Sequence, residues 1–385
     1  MMTDKTDIAI IGGGFAGLTL GISLLRQGYQ VRVYSDPEDL MAASPAAHGI
    51  STIKGILESD QELFGKKLQG HRGFESYLTS LEKIAKVSRP KAVWKTEATE
   101  KFDDLHHFQK DFGRIYRRDF IGAKQIILDA AQSDCFATAR YPGDWWVDPS
   151  YLLSVMTKAL QCLGGHIVYD RVLGMKYEAN KFQLTGQRSI YEVVTLVVAA
   201  GLGTVALMEC LGVQLDALYG VSGYTFKADG DMAESLMVKK TYGLAASGPS
   251  IHWGSTSDPA CAIKPEAVFA RNNSIASEMN EAKDLWQKIL HQNADQRTYP
   301  NTNPKTNPKT NPPATSVNVR WGVRVRNRKR MPMCGHIRMM DYPEADLWIN
   351  TAYYKSGIIL TWLEAEMLAQ EIITSHQQSK SLNTH

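Results

Sequence analysis

The sequence predicts an α/β protein of two domains. One is built on a mixed sheet with helices packed against it. The other is an α+β domain with an antiparallel sheet. Three observations predict this. A strand, a glycine turn, a helix and a second strand follow one another within residues 8–34. A second helix-and-strand block runs from Asp148 to Gly201. Past residue 218 the pattern changes to strand-like pieces and one long helical stretch.

Ile8–Ile11 (IAII) is a short apolar run, suited to a buried parallel strand. Gly12, Gly13 and Gly14 follow. Leu18–Arg26 reads as a helix closed by Gly28, and Gln30–Tyr34 (QVRVY) alternates as a strand. Asp148-Pro149 announces a helix over Tyr151–Leu163, stopped by Gly164-Gly165. A strand at His166–Tyr169, alternating strands to about Tyr191 and an apolar strand at Thr195–Ala200 come next. Tyr224–Lys227 and Ser250–Ser255 read as strands, and Ala276–Gln292 as a helix. In Asn301–Pro313 proline recurs every four residues, which excludes helix and sheet and predicts an exposed loop. Leu347–Ile372 reads as a strand, a turn at Lys355-Ser356-Gly357 and a long closing helix. The first domain is expected over 1–90, 142–217 and 318–375. The second is expected over 91–141 and 218–300, with a loop at 301–317 and a flexible tail at 376–385.

Composition narrows the function. The 385 residues are 44% apolar and 22% charged, as in ordinary globular enzymes. A net charge of +3 argues for neither a nucleic-acid nor a membrane partner. The most apolar stretch, Val193–Met208, is shorter than the roughly 18 residues of a membrane span. The five cysteines stand far apart and form no CxxC pair. Neither a metal site nor a disulfide framework is expected, and a reducing, cytoplasmic location is.

Gly12-x-Gly14-x-x-Gly17 carries the most chemistry. Gly12 permits a tight turn, Gly14 lets a pyrophosphate approach the backbone, and Gly17 lets helix and strand pack closely. The helix N-terminus offers N–H groups and a positive dipole end to phosphates. A strand before it, a helix after it and a second strand make this the dinucleotide-binding unit of a Rossmann-like domain. A ribose-binding carboxylate is expected at the end of the second strand. Ser35 stands there, with Asp36 next. Two readings of Asp36 stand side by side: a ribose ligand, or a turn residue before Pro37.

With these glycines, further segments resemble the FAD-dependent D-amino-acid oxidase family, which includes glycine and sarcosine oxidases. Ala43-Ser44-Pro45-Ala46-Ala47-His48-Gly49 is similar to its small-residue loop beside the flavin ring. Trp146-Val147-Asp148-Pro149 resembles its WVDP-type segment. Arg171-Val172 matches the position whose backbone holds adenine. Val197–Gly201, Trp253–Thr256, Gly322-Val323-Arg324 with Met331-Pro332, and Gly357 before a long helix match in order along the chain. The resemblance implies non-covalent FAD, held by Gly12, Gly14, Phe15, Ala16, Gly17, Ser35, Asp36, Ser44, His48, Val172, Ala200, Gly201, Gly322, Arg324, Ser356, Gly357 and Ile358. It also implies oxidation of a C–N bond in a small amine or amino acid. A hydride passes to the flavin and the resulting imine hydrolyses, with no dedicated base required.

Arg324 is the residue expected to grip a substrate carboxylate, since a planar guanidinium can hold both oxygens. His48 is expected beside the flavin, where a pKa of about 6.5 suits proton adjustment. Lys355 is expected to face the reduced flavin's negative end. Tyr353 and Tyr354 are expected to line the pocket, with a hydroxyl toward the substrate from one while the other only packs. Ala352-Tyr353-Tyr354-Lys355-Ser356-Gly357 departs from the family's usual glycine-rich turn. Val33–Asp36 and Met331-Pro332-Met333 resemble the oxidase half of the bifunctional tRNA wobble-uridine modification enzyme. That makes a tRNA oxidase the first alternative, in which the basic run Arg320, Arg324, Arg326, Arg328, Lys329 and Arg330 would contact phosphates; the other reading of that run is a solvated strand face. A flavoprotein without turnover, acting as a partner or maturation factor, is the second.

Overall fold

The computed structural model describes residues 7–39, 41–53, 56, 61–89, 94–102, 104–112, 127–129, 136–238, 243–254, 258–263 and 317–382. The helix expected at 276–292 and the proline repeat of 301–313 lie outside the described residues. Along the chain the elements are β1 Asp7–Ile11, α1 Phe15–Arg26, β2 Gln30–Ser35, β3 Ile50–Ser51 and α2 Gln61–Ala85. Then come β4 Trp94–Phe102, β5 Ile127–Asp129, β6 Ala137–Trp146, α3 Pro149–Cys162 and β7 His166–Tyr169. Next are β8 Val172–Glu178, β9 Lys181–Gly186, β10 Ile190–Val193, β11 Thr195–Val198 and α4 Gly203–Glu209. The remainder is β12 Leu218–Val238, β13 Gly243–Gly254, β14 Asp258–Ile263, β15 Val317–Asn327, β16 Met333–His336, β17 Asp346–Thr351 and α5 Gly357–Leu382.

A six-stranded sheet runs β16-β17-β11-β1-β2-β7, parallel throughout except for β16 against β17. β1 lies between β11 and β2, so the chain reverses its winding there. The crevice at the carboxyl ends of β1 and β11 is where such sheets bind ligands. Ile8, Ile10, Val31, Val33 and Val197 turn one face of this sheet toward α1, α2, α3 and α5. Ala9, Ile11, Leu196, Val198 and Ile349 turn the other face toward a small antiparallel sheet of β8, β9 and β10. Each fully buried Val or Ile stabilises by roughly 1.5–3 kcal/mol, so this three-layer core anchors the crevice.

Helix α1 packs between α3 and α5. Ten of its residues are buried, as its apolar composition on all sides requires. The predicted start of α3 appears as drawn from sequence: Asp148 caps it by accepting from Ser150 N–H at 2.8 Å, and Pro149 occupies its first turn. Gly28 (φ +88°) and Gly164 (φ +90°) end α1 and α3 in the left-handed region.

The second sheet orders β13-β12-β4-β6-β3, with β14 and β15 also on β12 and β5 on β6. It is antiparallel except for two residue pairs between β12 and β4. Three observations bear on the expected boundaries. β15 belongs to this sheet, pairing β12 from Leu218↔Asn327 to Ala228↔Val317, although residues from 318 on were expected in the first domain. β6 continues to Trp146 and carries β3, so the boundary at 142 falls inside a strand. The expected flexible tail is helical to Leu382, and its His376 is ion-paired with Asp346 at 2.7 Å.

Candidate active site

At the carboxyl end of β1 the glycines do what their spacing implies. Gly12 takes φ +120°, and a Cβ built there would lie 2.2 Å from the Ala199 carbonyl oxygen. A Cβ on Gly17 would lie 1.9 Å from the Gly12 oxygen. No side chain fits at either position, so this cradle admits only bare backbone. Gly12 N–H donates to Tyr34 O at 2.8 Å, joining the turn to β2. Gly14 is the N-cap of α1, whose first turn therefore faces the crevice. Ala200 and Gly201 (φ +57°) form the opposite wall where β11 ends.

Ser35 closes β2 against this turn: a Cβ on Gly13 would meet its Oγ at 2.2 Å. Asp36 accepts from Glu38 N–H at 2.9 Å and stands 3.8 Å from Arg171 Nε. The first contact is that of a turn; the second ties the end of β2 to the start of β8. Val172 opens β8 beside Arg171, whose carbonyl accepts from Gln187 N–H.

The small-residue loop 42–47 links the two sheets. Ser44 Oγ accepts from Phe15 N–H at 3.0 Å, at the first residue of α1. Met41 O accepts from Val323 N–H on β15, and Ala46 O from the Thr225 hydroxyl on β12. Gly322 lets β15 pass beneath the loop, since a Cβ there would lie 2.7 Å from Ala46 Cβ. His48 follows the loop; its carbonyl accepts from Trp146 Nε1 at 2.8 Å. His48 lines a pocket with His252, Arg320 and Lys227. Burial pushes His252 down to about 4.

Side chains alternate along β15. Trp321, Val323 and Val325 pack with the core. Arg320, Gly322, Arg324 and Arg326 fall on the other face. Arg320 donates to Pro45 O at 3.1 Å and also bonds Ser150 Oγ. Arg324 donates to Ser222 O at 3.4 Å, and its Cζ stands 5.3 Å from the centre of the Tyr354 ring. Burial lowers the Arg324 pKa. Lys355 is exposed, with Nζ 5.8 Å from the same ring. Ser356 is buried and donates its N–H to Tyr353 O, and Gly357 and Ile358 begin α5.

Tyr353 turns its hydroxyl toward β16 and β17. Its hydroxyl donates to Asn350 Oδ1 at 2.5 Å and lies 3.2 Å from Cys334 Sγ. Burial and the neighbouring thiol raise its pKa well above the ordinary tyrosine value. Burial likewise pushes Cys334 up to about 12. Asn350 completes the chain by donating to Ala16 O at 3.0 Å, in the first turn of α1. This network braces the cofactor crevice from behind. The structure thus gathers the glycines, Ser35 and Ser44 at one end, and Arg324, Tyr354 and Lys355 at the other. It places His48 with Arg320. Tyr354 is one of the two tyrosines expected to line the pocket; Asn350 has no signal in the sequence.

The glycine cradle, the reversing strand order and a loop bridging both sheets fit one architecture. The FAD dependent oxidoreductase (DAO) profile matches residues 7–371. This chain belongs to the DAO family. As a DAO-family flavoprotein it uses FAD, and the residues of the crevice fit that group. The glycine oxidase of Geobacillus kaustophilus (strain HTA426) is 22% identical over 382 residues, covering 96% of this chain and 93% of the relative. The crystal structure of a G. kaustophilus glycine oxidase superposes with a TM-score of 0.72 at 16% identity, covering 97% and 95% of the two chains. Iminodiacetate oxidase from Chelativorans sp. BNC1 gives 0.71 at 16%, covering 95% of each. L-Proline dehydrogenase from P. horikoshii gives 0.66 at 14%, covering 97% and 95%. Among the described residues no helix is long and apolar enough to cross a membrane.

Proposed function

We propose that this DAO-family protein oxidises the C–N bond of a small amino acid. The observation that carries the reading is Arg324. It is a largely buried guanidinium on β15, beside Tyr354 and on the strand that passes under loop 42–47. A buried cation of fixed geometry suits a carboxylate, which it can grip with two parallel bonds. Similar proteins named glycine oxidase, iminodiacetate oxidase and L-proline dehydrogenase share this chemistry: a nitrogen on the carbon next to a carboxylate.

FAD, when bound, supplies the hydride acceptor. Gly12, Gly14 and Gly17 with the first turn of α1 would take its pyrophosphate, and Ala200, Gly201 and Val172 would flank the nucleotide. The protein's own part is to orient and to exclude water. Arg324 fixes the carboxylate, and thereby which C–H bond faces the flavin. Loop 42–47 and Gly322 close the floor. The tRNA reading has less in its favour. Arg320 is bonded to Pro45 and Ser150, and Arg324 and Arg326 turn onto Tyr354, while Arg328, Lys329 and Arg330 are exposed.

The test is anaerobic mixing of the purified holoprotein with a panel of small amino acids, following bleaching of the visible flavin band. Reduction by at least one, lost in Arg324→Leu, is expected. A flavin that no amino acid reduces would sink the proposal. Salt-sensitive binding of tRNA by that same protein would then favour the alternative.

A further inference from the structure

We infer that the site extends beyond Arg324 to a second anion-binding position made by Arg326, Tyr354 and Lys355, and that the substrate is a dicarboxylic amino acid. The inference rests on the amino-acid reading above and names its substrate class.

Arg324 and Arg326 are two residues apart on β15, opposite Val221 and Tyr219, and so share a face. Both guanidiniums converge on one ring. Tyr354 has Arg324 Cζ at 5.3 Å and Arg326 Cζ at 4.9 Å from its centre, with Lys355 Nζ at 5.8 Å. An aromatic face attracts cations, which explains the gathering. The like charges of Arg326 and Lys355, drawn to the same ring, repel one another.

The contrast with Arg320 is informative. Arg320, on the same face, spends its guanidinium on Pro45 O and Ser150 Oγ. Arg326 Nε is buried and has no hydrogen-bond partner among the described residues. Neither Arg326 nor Lys355 has a carboxylate within ion-pairing distance among the described residues. A buried N–H left unmatched is costly unless something arrives to accept it.

Backbone conformation points the same way. Tyr354 sits at φ +50°, a region that bulky residues rarely occupy. It is held there by a bridge between Tyr353 and Arg326 and by the Ser356 N–H to Tyr353 O bond. Strain of this kind persists where the surroundings over-determine it, which is commonest at ligand sites. Residues two apart on a strand are separated by roughly 7 Å. Succinate or glutarate can reach across such a gap.

The test is a titration of the holoprotein with butyrate, succinate and glutarate, read by the flavin spectrum and by calorimetry. The better of the two dicarboxylates is expected to bind about tenfold tighter than butyrate. In Arg326→Gln that ratio should fall to near one, and Arg326→Lys should recover part of it. Equal binding of all three by the unmodified protein overturns the inference, as does a preference that survives in Arg326→Gln. The unmodified protein's ratio decides the matter even if a variant fails to fold. The two readings also fail separately. A dicarboxylate preference without reduction by any amino acid removes the activity and leaves the subsite. Reduction by glycine without that preference removes the subsite and leaves the activity.

Discussion

The glycine turn and the arginine row of β15 lie on either side of loop 42–47, and they keep their shapes by different means. The turn is made of backbone. Gly12 and Gly17 are fixed by what cannot be added to them, with main-chain oxygens 2.2 and 1.9 Å from where a Cβ would be. The arginine row is made of side chains whose order depends on partners far along the chain, such as Tyr354 for Arg324 and Arg326. The first kind of site tolerates no substitution and holds its cofactor generically. The second can change residue by residue, and so is where specificity is set.

The sharpest way to break this comparison is at Gly12. Gly12→Val puts a branched side chain into a carbonyl in a left-handed backbone. Overpacking and strain together should cost more than about 3 kcal/mol. The protein is expected to lose FAD on gel filtration and to melt far lower; normal FAD content would show that the cradle is looser than the geometry says. Next is Arg324→Leu. Removing a charged partner costs about 1.5–3 kcal/mol, so amino-acid affinity should fall roughly 10–100-fold with melting temperature little changed. An equal loss of both would make Arg324 structural, like Arg320.

Tyr353 sharpens the boundary between the two kinds of region. Asn350→Ala leaves Tyr353 and the Ala16 carbonyl without their shared partner, a loss of about 1–3 kcal/mol. It should lower both melting temperature and FAD affinity. Tyr353→Phe should lower melting temperature by less and leave the rate of flavin reduction unchanged. A large fall in that rate would restore Tyr353 to the catalytic set.

The smallest effect concerns Asp144, inside β6. It is buried, and its Oδ1 accepts from Ile53 N–H at 2.8 Å. Burial raises its pKa well above 3.8. The folded state therefore holds a proton that the unfolded chain gives up. That contribution is complete below pH 3.8 and is lost as pH rises through the folded value. The unmodified protein should lose melting temperature from acid toward neutral pH more steeply than Asp144→Asn. Parallel pH profiles would show that Asp144 ionises freely in the fold.

What was legible in the sequence follows the same division. The βαβ unit could be read because its causes are local: three glycines, a closing Gly28 and apolar periods within some thirty residues. The start of α3 was equally plain from Asp148-Pro149. The arginines of β15 were visible as a basic run, but which of them turn inward depends on pairing with β12, about a hundred residues earlier. Tyr353 and Tyr354 both precede α5, and spacing does not tell them apart. The Tyr353 hydroxyl meets Asn350 and Cys334, a contact that no spacing rule announces. That Tyr354 turns its ring toward the arginines is not legible, because a positive φ at tyrosine has no sequence signature.

Loops usually absorb insertions and deletions with little penalty. The one between Met41 and Ala47 is an exception. Met41, Ser44, Pro45 and Ala46 are each tied to a different residue, on β15, α1, β15 again and β12. One added residue would put most of these ties out of step. The segment acts as a spacer of set length, so a tag, a cut site or a permuted terminus belongs elsewhere on this scaffold. The exposed hairpin at Ala179-Asn180 between β8 and β9 offers such a place.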